Sequence, residues 1–103
     1  MISRKLKDVA SVIRSKNAGP LLLTLDVILP DKVTFDQVVA AGVLAPDRMA
    51  ELYSVSHNEV SVIPFVQALA IKITLPRRYR SGGPLDSDVY GAQQHVPLFD
   101  LEI

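Results

Sequence analysis

Residues 77–95, RRYRSGGPLDSDVYGAQQH, gather guanidinium, carboxylate, phenol, carboxamide and imidazole groups in one stretch without apolar periodicity. Connections longer than about a dozen residues are uncommon in compact domains, and those that occur usually bind or cover something. Arg77, Arg78 and Arg80 make a basic cluster. Its forked donors suit a polyanion such as a coenzyme A phosphate or an acidic surface on another subunit, and a solvated charge run is the plainer alternative. Asp88, Tyr90, Gln93 and Gln94 can bind a substrate by hydrogen bonds, or satisfy the backbone of a folded-down loop. His95 is a proton carrier for neutral pH and the candidate catalytic group. With no nucleophile beside it, catalysis by this chain alone is not expected. Asp86, Asp88 and His95 have metal-binding chemistry, but their spacing matches no ligand motif, so no metal is assigned.

A second polar group lies at residues 14–19, RSKNAG, read as a turn. Arg14, Ser15, Lys16, Asn17 and Gly19 offer two cations, a hydroxyl, a carboxamide and a glycine that lets backbone amides approach a ligand. Such a cradle fits a carboxylate or phosphate. Asn17, Ala18, Gly19 and Pro20 are also adequate chemistry for a hairpin turn with solvated flanks. Ser15 beside Lys16 is not a nucleophilic dyad, because adjacent residues on an extended segment point to opposite faces and a dyad needs hydrogen-bond reach.

These groups must be carried by one domain, since 103 residues leave no room for a second core. Apolar residues make up 49% of the chain with only 6% aromatic, so the core is aliphatic. Eleven basic and eleven acidic residues cancel, which removes the general attraction to phosphate backbones and argues against a nucleic-acid binder. The chain has no cysteine and no signal-peptide pattern, so a cytoplasmic location is expected. No apolar run approaches the roughly 20 residues of a membrane-spanning helix. Charge neutrality also favours self-association or a permanent partner.

Stepping along the chain, a first strand is expected from near Asp8, where Val9, Val12 and Ile13 accumulate before the turn. Residues 21–29, LLLTLDVIL, read as a buried central strand closed by Pro30 and Asp31. Thr34 and Gln37 have capping-box spacing, opening a helix with Phe35, Val38, Val39 and Leu44 on one side and an interruption at Gly42. Pro46 starts a second helix that groups Met49, Leu52 and Tyr53. Strand character returns at Val60 and Val62, breaks at Pro64, and resumes at residues 69–75, where Leu69, Ile71, Ile73 and Leu75 share a face. A last strand is expected from Val96. The order gives an α+β fold, a ferredoxin-like sandwich with two short helices on one face of a largely antiparallel sheet. The opposite face, if apolar, calls for a partner.

RSKNAGPLLLTLDVIL, ALAIKITLP and DSDVYGAQQHVPLFDLEI together resemble the small family known as domain of unknown function 4387. The resemblance implies company: members accompany larger proteins similar to the acyclic-terpene-utilisation A (AtuA-like) family, whose small terminal domain carries an Arg-Ser-rich turn in a ferredoxin-like fold. Arg14, Ser15, Lys16 and Gly19 sit where that turn would be, although Asn17 to Pro20 replace a more acidic, glycine-rich loop. The expectation is an accessory small subunit of an AtuA-like hetero-oligomer that acts on an organic acid or acyl-CoA by a hydratase or lyase step. The alternative is a stand-alone homo-oligomer that binds a small carboxylate without catalysis. No cofactor is implied.

Overall fold

The computed structural model describes residues 4–19, 21–76, 98–99 and 101–102. Strands β1 (Val12–Gly19), β2 (Leu22–Ile28), β3 (Ser61–Phe65) and β4 (Ala70–Pro76) form one sheet in the order β1-β2-β4-β3. Every neighbouring pair is antiparallel. Helices α1 (Leu6–Val9), α2 (Lys32–Ala41) and α3 (Pro46–Tyr53) complete the described elements, with short 3₁₀ turns at His57–Glu59 and Val66–Ala68. This is the expected α+β class, an antiparallel sheet with its helices on one face. Both longer helices fall between β2 and β3, so a hairpin precedes them and another follows.

Burial divides the sheet along its pleat. Leu23, Leu25 and Val27 of β2 and Ile71, Ile73 and Leu75 of β4 are at most 2% exposed, and they join Phe35, Val38, Met49 and Leu6 in one core. Directly opposed residues of an antiparallel pair share a face. The pairs Leu25↔Ile73 and Val27↔Ile71 therefore form the inner surface on which the helices lie. Pro64 does not end β3, as expected, but lies within it opposite Ile71. The reason is position: β3 is an edge strand, where a residue without an N–H is tolerated.

Three other local expectations are corrected. The first element is a single helical turn, Leu6–Val9, and strand structure begins only at Val12. Leu6 is fully buried, and the Leu6 and Lys7 amides donate to the Leu101 and Phe99 carbonyls at 2.8 and 3.1 Å, so the chain end fixes this turn. Among the described residues the expected terminal strand is reduced to one isolated antiparallel bridge, Lys5↔Glu102: Leu98 and Phe99 lie in a turn and Leu101 outside any strand, whereas residues 96, 97, 100 and 103 lie outside the described residues. Val39 and Leu52 do not join the core and are 46% and 36% exposed, because each lies at the flank of the buried stripe of its helix, Val39 about 40° past Phe35 and Leu52 about 60° from Met49.

The third correction concerns the start of α2. Asp31, rather than Thr34, is the N-cap; its carboxylate accepts a 2.8 Å hydrogen bond from the Thr34 amide. Thr34 is thus the third helical residue, the position a cap serves. A reciprocal capping box does occur elsewhere, between Ser56 and Glu59. The Thr34 donors hold the Asp31 carboxyl below its ordinary value of 3.8. A depressed folded-state value contributes stability above the ordinary value, and that stability is lost as pH falls through the folded one. Replacing Asp31 by Asn keeps a capping oxygen but removes the charge. Thermal melts of Asp31→Asn and wild type between pH 2 and 6 should show the wild-type advantage above about pH 4 shrinking in more acidic solution.

Gly42 ends α2 with φ 69°, and its amide donates to the Val39 carbonyl. A Cβ built there meets nothing within 4 Å, so backbone conformation alone disfavours other residues. Gly42→Ala is expected to cost about 1 kcal/mol in urea unfolding, with Gly42→Asn recovering part of it. Pro46 stands at the first turn of α3, as expected, where its missing N–H costs nothing.

Candidate functional site

The segment 14–19 is part of β1 rather than a turn, and this decides what its polar residues can do together. The register is Val12↔Ile28, Ile13↔Val27, Arg14↔Asp26, Ser15↔Leu25, Lys16↔Thr24 and Asn17↔Leu23, with an irregularity between Asn17 and Gly19. Ser15 and Asn17 thus share the inner face with Leu25 and Leu23. Ser15 is 8% exposed, and both side chains already have contacts within the fold. Arg14 and Lys16 point the other way. The pleat therefore splits the expected cradle into two sets that cannot converge on one ligand. Gly19 pairs with Leu22 at the end of the hairpin.

The outer face can be read row by row across β1, β2, β4 and β3. One row is Val12, Ile28, Ala70 and Phe65; the next is Arg14, Asp26, Lys72 and Ile63; the third is Lys16, Thr24, Thr74 and Ser61. This face is mixed: the apolar Val12 row at one end and the Leu22↔Pro76 pair at the other enclose a charged row and a hydroxyl row. It is not an uninterrupted apolar surface. The Arg14 Nε donates to Asp26 Oδ2 at 3.2 Å, with the Arg14 side chain 63% and Asp26 18% exposed. An ion pair this open to water adds at most about 1 kcal/mol of stability. It holds the guanidinium against the sheet while leaving its terminal nitrogens available. Lys72, exposed, flanks the same carboxylate from β4. Thr24 is only 3% exposed and lies beneath these longer side chains.

Arg14, Lys16 and Lys72 are thus three cations disposed around one carboxylate, with the hydroxyls of Thr74 and Ser61 in the adjoining row. Such a surface suits oxyanions. Of the sequence-derived candidates, the structure keeps Arg14 and Lys16 on this surface and removes Ser15 and Asn17 from it. Lys72 was missed. Its only sequence signal was the polar phase of an alternating strand, which does not say which strand lies beside it. Arg78, Asp88, Tyr90, Gln93, Gln94 and His95 lie outside the described residues.

Elsewhere the described chain offers little acid–base or metal chemistry. No group of three or more His, Cys, Asp or Glu among the described residues could hold a metal ion. Burial pushes the Tyr53 phenol well above its ordinary value, so it stays protonated near neutral pH. A cleft of about 180 Å³ opens between the end of α2, the start of α3 and the β3–β4 edge, lined by Val38, Leu44, Pro46, Val62, Pro64 and Ile71 among others. Its named walls are wholly apolar side chains, with Gly42 between them. No described helix is long and apolar enough to cross a membrane.

The chain belongs to the family described as domain of unknown function (DUF4387), whose model matches residues 6–102. That span runs from the buried first turn, through the whole sheet, to the Lys5↔Glu102 bridge. No curated protein and no solved structure matches the chain.

Proposed function

We propose that this protein is the accessory small subunit of a two-component enzyme whose larger member is an AtuA-like protein. The pair acts on an organic acid or acyl-CoA ester by hydration, dehydration or a related lyase step, in the cytoplasm. The observation that carries the reading is the outer sheet face: three cations surround a single carboxylate on an open surface, whereas the concave cleft beside the helices is apolar. A flat cationic surface binds an anion in water only weakly, since solvent and salt screen it. Closing a second protein over it removes that solvent and completes a polar pocket. Arg14 and Lys16 contribute substrate contacts, joined by His95 and the polar residues 88–94.

The test is joint expression with an AtuA-like protein, with an affinity tag on the small chain only. The expected result is a complex of fixed stoichiometry that survives gel filtration, together with hydratase or lyase activity absent from either component alone. A small chain that elutes cleanly as a monomer from such co-expression would sink the proposal. The second reading, a homo-oligomeric anion binder, is favoured by the clustering of exposed Ile63, Phe65 and Val66 at the β3 edge, each 46–48% exposed. Oligomers of the small chain alone, insensitive to the larger protein, would select it.

A further inference from the structure

We infer that Arg14, Lys16 and Lys72 form a binding site for a diphosphate group on the outer face of the sheet. The inference rests on the proposed function only for the identity of the natural ligand, and there it selects a coenzyme A thioester over a free organic acid. Register, not sequence proximity, assembles the site. Arg14, Asp26 and Lys72 occupy one row on β1, β2 and β4, and Lys16 stands two residues along from Arg14, opposite Thr24. With strands about 4.8 Å apart and a rise of about 3.4 Å per residue, Arg14 and Lys16 are roughly 7 Å apart along β1, and Lys72 is roughly 10 Å across the sheet.

That spacing favours an extended anion. A single carboxylate is satisfied by one forked guanidinium and needs no second or third cation, whereas Asp26 takes only the Nε of Arg14. Two linked phosphoryl groups carry charge over a greater length, and flexible lysine stems can close on them from two sides. Among the described residues of this face the three cations outnumber the one carboxylate by two, so two positive charges stand there after the Arg14–Asp26 pair is counted. Lys32, by contrast, lies 2.8 Å from Asp36 and is locally balanced. The hydroxyls of Thr74 and exposed Ser61 continue the row beside Lys16 and can donate to phosphate oxygens. Because Thr24 is nearly inaccessible, the contacts are made by the long side chains above the sheet rather than by its floor.

The probe is sodium pyrophosphate, titrated into the full ¹⁵N-labelled chain at fixed ionic strength. The expected result is a weak but saturable set of amide shifts centred on Arg14, Lys16 and Lys72, weak because the face of the free chain is open to solvent. Lys16→Gln and Lys72→Gln should each weaken binding about tenfold, equivalent to about 1.4 kcal/mol, and Lys32→Gln should leave it unchanged. All three positions are exposed, so the variants are expected to fold, and their melting curves check this. ADP binding as tightly as coenzyme A would assign recognition to the diphosphate alone, whereas tighter coenzyme A binding would add the rest of that molecule. Shifts that rise without saturating, equal shifts with acetate, or undiminished affinity in both lysine variants would overturn the site. Pyrophosphate binding without a co-purifying partner removes the subunit reading and keeps the site; a complex without pyrophosphate binding does the reverse.

Discussion

Replacing Leu25 by alanine is expected to lower the unfolding free energy by about 3–5 kcal/mol, the range for a buried leucine whose surroundings cannot collapse into the space left. Leu25 sits in the middle of β2, a central strand, with Ile73 opposite on β4 and Ser15 opposite on β1. Both Leu25 and Ile73 are fully buried. Sheet on one side and helices on the other fix the position, so relaxation is limited. Urea unfolding followed by circular dichroism measures the effect. For a domain near 100 residues it corresponds to a melting point lower by roughly 12–25 °C or more. Leu21→Ala, at a position 54% exposed, is the control and should fall within about 0.5 kcal/mol of wild type. A Leu25→Ala variant as stable as that control would mean that the helices do not cover this face.

The second large effect is at the chain end. Leu98 is fully buried, like Leu6, although it follows a long polar stretch and precedes the terminus by a few residues. Leu98→Ala is expected to cost about 2–4 kcal/mol. It should also loosen the hydrogen bonds that the Leu6 and Lys7 amides donate to the Leu101 and Phe99 carbonyls. Amide hydrogen exchange separates a local from a global consequence. Leu6 and Lys7 should lose protection beyond the fall seen at Leu25 and Ile73, because their bonds depend on the docked end. If Leu98→Ala leaves stability and the Leu6 amide unchanged, the terminal segment is not part of the core.

The two predictions differ in how they could have been foreseen. Leu25 lies in an unbroken apolar run bounded by turn residues, and its burial was legible directly. Ile71, Ile73 and Leu75 were legible for a similar reason, since a period of two with Lys72 and Thr74 between them admits one face. Gly42 and Pro46 marked the end of one helix and the start of another through backbone restrictions that act locally. Leu98 also fell in a strand-like pattern, but the docking of its segment on the first turn depends on hydrogen bonds across more than ninety positions.

Long-range pairing also overrides local preference elsewhere in the chain. Residues 14–19 contain types common in turns, yet they continue β1 because pairing with β2 outweighs local turn preference. Residues 6–9 contain valine and a leucine, yet they form a helical turn because Leu6 is drawn into the core and its amide finds a carbonyl at the other end of the chain. Asp31 displaced Thr34 as the cap by one turn, a shift that composition alone does not resolve.

The candidate site shows the division most clearly. The sequence by itself determined that Arg14, Ser15, Lys16 and Asn17 would be neighbours and that Ser15 and Lys16 would form no dyad, but it read them as one turn; their division between two faces came with β1, whose side chains alternate. It also determined that the middle of the domain would be aliphatic and the whole chain neutral. Only the tertiary structure decided that Lys72 stands in the same row as Arg14 with Asp26 between them. That juxtaposition depends on which strands are neighbours and in what register. Those are long-range properties, set when the inner faces of β2 and β4 pack against the helices and the outer face is carried into place with them.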